Sequence, residues 1–167
     1  LKLAYVGDGN NNVTHSLLLG CSKVGMNISV ATPHGKIYEP LPEVILRAKK
    51  FANEYGSKVE LFRKAEEAIK DADIVYTDSW MSYRIPKSQL DSRVKIFKPY
   101  RVDDKLFSQA DVDALFMHCL PAHRGEEVTE EVLESSQSVV SDEAENRLHV
   151  QKALLEYLLL GRLRENM

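Results

Sequence analysis

Short apolar runs alternate along the chain with stretches whose apolar positions recur three or four residues apart, the pattern of a parallel sheet wrapped by helices. Residues 1–7 read as a first strand. A helix follows over 12–24, with Leu17, Leu18 and Cys21 at helical spacing. Residues 27–32 form the next predicted strand, ended by Pro33. Pro42 suits the first turn of a helix that Leu46, Phe51 and Tyr55 continue and Gly56 stops. Residues 58–62 are predicted as a strand and 65–70 as a short helix. A further strand spans 73–78, with Ile74, Val75 and Tyr76 at its centre.

The rhythm then breaks. Residues 79–102 are rich in charge and contain Pro86 and Pro99, which predicts an irregular excursion. A helix over 103–110 and a strand over 114–120 restore the alternation. Thr129 opens another helix, with Glu130 and Glu131 suiting its positive end. A last short strand is predicted over 138–141, and a long helix from about 144 to 160. The expected fold is α/β: a Rossmann-like doubly wound parallel sheet of about five to six strands flanked by helices. Residues 1–160 make one domain, and 161–167 a tail.

Composition narrows the function classes. A length of 167 residues supports a single core without a metal or disulfide staple. The formal net charge of −3 gives no basic face for nucleic acid or an anionic membrane. Two cysteines, Cys21 and Cys119, make no disulfide framework, so a reducing cytoplasm is the expected location. No run approaches the roughly 18 to 20 apolar residues that span a bilayer, and no signal peptide opens the chain. The first residue is Leu1, already inside a strand, which suggests a chain cut at a domain boundary or a processed terminus.

Ligands of doubly wound sheets bind beyond the carboxyl ends of the strands. Three predicted strands end there in polar or reactive sequence: Gly7-Asp8-Gly9-Asn10-Asn11-Asn12, Thr77-Asp78-Ser79-Trp80-Met81-Ser82 and His118-Cys119-Leu120-Pro121. Parallel strands end on one edge, so the three loops should meet. The first has two glycines of a dinucleotide fingerprint, but Asn12 replaces the third, and the second strand ends in Ala31-Thr32-Pro33 without an acidic residue for a ribose. Its asparagines either cap the helix or, at the positive helix end, bind a carboxylate. Asp78 either caps its turn or faces a substrate ammonium, and Trp80 reads as a packing residue. Cys119 can be a nucleophile, a metal ligand, a polar anchor or an apolar filler. His118 and His123 with Cys119 lack a fourth ligand for zinc, and His118 points to the opposite strand face from Cys119. Cys21, on the apolar face of a helix, reads as core.

The stretch from His118-Cys119-Leu120-Pro121 through Ala122-His123-Arg124-Gly125-Glu126-Glu127-Val128-Thr129 closely resembles the signature of ornithine carbamoyltransferases. Residues Gly7 to Ser16 resemble the family's asparagine-containing first loop, and Asp142-Glu143-Ala144-Glu145-Asn146-Arg147 its closing arginine motif. The resemblance implies transfer of a carbamoyl group from carbamoyl phosphate to the side-chain amine of ornithine, giving citrulline and phosphate, with no cofactor and no metal. It implies that Asn12 holds the ornithine α-carboxylate and that Asp78, helped by Ser82, holds the α-amino group. Tyr83 would lie in the same substrate-closing loop. Cys119 and the Leu120 backbone would sit at the attacking amine and the carbamoyl group, and Arg147, with that backbone, would polarise the carbamoyl oxygen. Leu120-Pro121 is expected to be cis, and the full-length enzyme a homotrimer.

Two departures from the family pattern shape the expectation. Where the family loop reads Ser-Met-Gly, this chain has Ser82-Tyr83-Arg84, which keeps another amine such as putrescine as an alternative substrate. A non-catalytic nucleotide-binding Rossmann module is a more distant alternative. The family's Ser-x-Arg-Thr and His-Pro-x-Gln motifs, which belong to the amino-terminal half that binds carbamoyl phosphate, are absent from the sequence. Arg84, Arg101 and Arg124 read as solvated surface and do not replace them. Consistent with a missing half, Val150, Ala153, Leu154, Leu155, Tyr157, Leu158, Leu159 and Leu160 surround the last helix, so it should need burial on more than one side. The chain is therefore expected to be the ornithine-binding half and to be inactive alone.

Overall fold

The computed structural model describes residues 1–81 and 85–161. Among these residues, five strands and seven α-helices follow in the order β1 (Lys2–Val6), α1 (Asn12–Lys23), β2 (Asn27–Ala31), α2 (Pro42–Tyr55), β3 (Val59–Phe62), α3 (Ala65–Ile69), β4 (Ile74–Thr77), α4 (Leu90–Phe97), α5 (Asp104–Phe107), β5 (Leu115–His118), α6 (Glu130–Leu133) and α7 (Val140–Leu160). All strand pairs are parallel and the sheet order is β3-β2-β1-β4-β5. The chain winds outward from β1 to β3, then returns to place β4 on the other side of β1. This reversal makes the carboxyl ends of β1 and β4 the topological switch point, where such sheets leave a crevice.

Side-chain alternation along the strands feeds two cores, one on each face. Leu3, Tyr5, Ile28, Val30 and Tyr76 pack with Leu18, Cys21 and Ala48 from α1 and α2. Ala4, Val6, Ala31, Val75 and Phe116 face the other way, toward a larger core with Ala68, Ile69, Phe97 and Val132. Helix ends follow the local chemistry. Pro42 starts α2 and Gly56 closes it in the left-handed conformation, while Asp103 caps α5 through the Leu106 N–H at 2.8 Å.

Two expectations are corrected. Residues 138–141 are not a strand: Ser138 makes a single parallel bridge to Phe116, and α7 already begins at Val140. The β-branched valines favour a strand, but β5 ends at His118, leaving little edge to extend along, and Asp142 and Glu143 stabilise the first helical turn. The excursion over 79–102 is also less irregular than predicted. It contains α4, whose Phe97 is fully buried and stacks on Trp80 with ring centroids 5.8 Å apart.

Candidate active site

The three strand-end loops meet as the parallel sheet requires, and hydrogen bonds join them. Asn11, not Asn12, caps α1: its Oδ1 accepts the Thr14 N–H at 2.7 Å. The cap fixes the amide so that its Nδ2 donates to the Tyr5 hydroxyl at 2.9 Å and to Asp78 Oδ2 at 3.2 Å. Asp78 Oδ1 accepts the Ser79 N–H at 2.7 Å and the Cys119 thiol at 3.2 Å. A second tie joins the same loops, with Ser79 Oγ 3.2 Å from His123 Nδ1. Asp78 is therefore the junction of all three. A carboxylate oxygen can accept two hydrogen bonds, so Oδ2 retains capacity for a further donor.

Cys119 is open to solvent on one side, but partial burial of its sulfur pushes the thiol up to about 12, and the Asp78 charge and hydrogen bond act in the same direction. The sulfur is thus a protonated donor, unlike the depressed thiolates of cysteine nucleophiles. Ligand atoms of Asp78, His118 and Cys119 lie within 4.8 Å of one another. Asp78 Oδ1 is engaged by the Cys119 thiol and His118 Nδ1 by the Leu120 N–H, and a zinc site would need the thiolate. The cluster acts as a polar network in this arrangement.

Beneath it, His118 is fully buried, opposite the exposed Cys119, as strand alternation predicts. Its Nδ1 accepts the Leu120 N–H at 2.9 Å, and its Nε2 lies 3.3 Å from Glu127 Oε1, off-line for a hydrogen bond. Leu120 has φ 55°, and the Leu120-Pro121 bond is cis. Since its N–H is taken, the backbone group of Leu120 without a partner among the described residues is its carbonyl. That group accepts hydrogen bonds and suits an N–H of a ligand, so it cannot share in polarising an oxygen.

The first loop is also tied to α4. Asp8, buried beside β1, pairs with the guanidinium of Arg93 from α4, and Arg93 Nε also donates to the Trp80 carbonyl at 2.8 Å. The guanidinium carbon sits 4.8 Å from the centre of the Phe97 ring. Burial raises the Asp8 carboxyl and Arg93 opposes that shift. One arginine thus fastens the β1 turn to the β4 turn. At Gly9, an added Cβ would lie 2.7 Å from Pro40 Cδ and 2.8 Å from the Tyr38 carbonyl, so residues 38–40 fill the side of the turn that a glycine in a dinucleotide fingerprint keeps clear.

The remaining expected site residues are placed less tightly. Asn12 is the first residue of α1 and is exposed at its amino end. Arg147 is exposed on α7, one turn after Glu143, whose carboxylate reaches the ends of β4 and β5. Ser82 and Tyr83, with Arg84, lie outside the described residues. An open hollow of about 340 Å³ adjoins Leu120, but its cation, Arg124, is already paired with Glu134.

Comparison with known proteins places the chain in a family. The family model described as aspartate/ornithine carbamoyltransferase, Asp/Orn binding domain, matches residues 1–158. The chain belongs to the aspartate/ornithine carbamoyltransferase family. Among curated carbamoyltransferases, the ornithine carbamoyltransferase of Thermococcus kodakarensis is 51% identical over 161 residues, covering 96% of this chain and 50% of that protein. That of Carboxydothermus hydrogenoformans is 53% identical over 159 residues, covering 95% and 50%. The solved ornithine carbamoyltransferase of Pyrococcus furiosus superposes with a TM-score of 0.87 at 51% identity, over 93% of this chain and 49% of that one. The chain spans about half the length of the curated relatives it matches.

The sequence allowed the helix cap at Asn11 but not its tie to Asp78, and it gave no role to Arg93 or Glu143. Glu143 carried a signal, since it lies four residues before Arg147 and so on the same helical face. Arg93 carried none; it is one cation in a charged stretch, and only the fold reveals its burial.

Proposed function

We propose that this chain is the ornithine-binding half of a carbamoyltransferase that converts ornithine and carbamoyl phosphate to citrulline and phosphate. The observation that carries the reading is Asp78, held between Asn11 and Cys119 at the switch point with acceptor capacity left on Oδ2. An α-ammonium group fits that acceptor, with Ser82 assisting and Tyr83 in the same loop. The α-carboxylate fits Asn12 at the amino end of α1, where helix N–H groups favour an anion. These two head contacts orient the side-chain amine toward Cys119.

In the reaction, the amine nitrogen attacks the carbamoyl carbon, the carbon–oxygen bond to phosphate breaks, and the amine loses a proton. The amine must attack unprotonated, and a desolvated site lowers its pKa. Cys119, kept protonated, orients and forms no covalent bond to the carbamoyl group. The Leu120 carbonyl takes a carbamoyl or amine N–H. Arg147 stabilises the oxygen that becomes negative, a role in which single donors contribute roughly 2.7 to 4 kcal/mol in other enzymes. Carbamoyl phosphate binds mainly through a second domain of the kind that completes the relatives, in a homotrimer of the full-length enzyme.

Amine selectivity tests the head assignment. In the two-domain enzyme, ornithine is expected to be carbamoylated in preference to putrescine. Asp78→Asn is expected to raise the ornithine KM roughly 10- to 100-fold, the worth of a charge-assisted hydrogen bond. An unchanged KM removes Asp78 from the substrate head, and preference for putrescine moves the assignment to the Tyr83 and Arg84 loop.

A further inference from the structure

The first turn of α7 reaches the sheet through one carboxylate. Glu143 Oε1 accepts a hydrogen bond from the Tyr76 hydroxyl at 2.5 Å, and Oε2 accepts from the backbone N–H of His118 at 3.1 Å. Tyr76 lies in β4 two residues before Asp78, and His118 ends β5 immediately before Cys119. Both donors thus belong to the strand ends that carry the site. Arg147 follows Glu143 by four residues, on the same face of α7.

Among the described residues, the ties between α7 and the sheet gather at its amino end. None of its residues is buried, and Leu154, Leu158 and Leu159 are more than half exposed. Its amino end is entered through Val139, whose N–H bonds to the Phe116 carbonyl, and Val140 packs on the edge of the larger core. The start of α7 has no side-chain cap. The angle at which the helix leaves the sheet is therefore sensitive to the two bonds at Glu143. Burial, then the bond to Glu143, pushes the Tyr76 hydroxyl up, so it stays a donor throughout the working range.

We propose that Glu143 is a positioning residue that seats α7 on the ends of β4 and β5 and so delivers Arg147 to the group reacting beside Cys119. The proposal rests on the carbamoyltransferase reading of Arg147. It makes Glu143 act through hydrogen-bond geometry and not through its charge. A glutamine can keep both bonds: its carbonyl accepts from His118 N–H, and its amide donates to the Tyr76 oxygen once that hydroxyl turns.

Four variants of the two-domain enzyme test it: Glu143→Ala, Glu143→Gln, Arg147→Ala and the double Glu143→Ala/Arg147→Ala. Glu143→Ala is expected to lower kcat about 100-fold, the scale of a misplaced catalytic group, and to leave the ornithine KM within about threefold. Glu143→Gln is expected to stay within about threefold of the parent kcat, which also shows that the position can be changed without losing the fold. The double variant is expected to match Arg147→Ala, because a group already removed cannot be misplaced. Full kcat in Glu143→Ala while Arg147→Ala is inactive overturns the proposal and leaves the reading of Arg147 intact. A loss in Glu143→Gln equal to that in Glu143→Ala overturns it in favour of a charge effect. Multiplied losses in the double variant overturn the route through Arg147. Full kcat in Arg147→Ala removes the reading itself, and the proposal with it.

Discussion

At Cys119, burial and the Asp78 carboxylate act in one direction, and the outcome is a thiol where a strand-end cysteine beside two histidines invites a thiolate. With its pKa raised to about 12, the Cys119 thiol carries far less thiolate at pH 8 than an ordinary cysteine does. Iodoacetamide labelling followed site by site should therefore be slow at Cys119 at pH 8. Asp78→Asn removes one of the raising causes, so it should speed labelling roughly tenfold. Labelling as fast as a free thiol in the parent, or no change in the variant, contradicts the assignment. Which of the open readings of Cys119 applies was not legible in the chain order alone, because it depends on Asp78, which lies 41 positions away. The opposite orientation of His118 was legible, since strand alternation dictates it.

Elements were legible where local pattern and tertiary context agree. The bounds of α2 follow from Pro42 and Gly56, and β4 from its apolar centre. Local pattern failed over 138–141, where β-branched residues met the end of a strand and the chain turned into α7. It failed again at α4, which is short and charged, and depends on contacts distant in sequence: Phe97 under Trp80, and Arg93 on Asp8. A buried ion pair that loses one partner leaves an uncompensated charge, at a cost of about 3 to 5 kcal/mol. Arg93→Met should lower the urea midpoint accordingly, with an unchanged denaturant slope. Replacing both partners, as in Asp8→Leu/Arg93→Met, should recover part of the loss. A single variant as stable as the parent would show that this pair does not hold α4 to the first loop.

The molecule as a whole was the most legible level, because alternating strands and helices leave few ways to build a sheet. The meeting of three loops at one edge follows from parallel strands, and the switch point between β1 and β4 follows from the order in which they are wound. The bonds inside the site, such as Asn11 to Asp78, depend on side-chain geometry that no spacing encodes. Among the described residues no helix is long and apolar enough to cross a membrane. The exposed leucines of α7 form an apolar face of the kind that marks interaction surfaces. The curated relatives are about twice as long as this chain.

If this chain supplies the ornithine site, it needs a carbamoyl-phosphate-binding domain to work. The direct measurement is citrulline formation from ornithine and carbamoyl phosphate, by this chain alone and by this chain mixed with a separately made carbamoyl-phosphate-binding half. Light scattering would verify that the two halves have joined. Citrulline is expected from the mixture and none from either half. Citrulline from this chain alone, or none from a verified complex, contradicts this expectation.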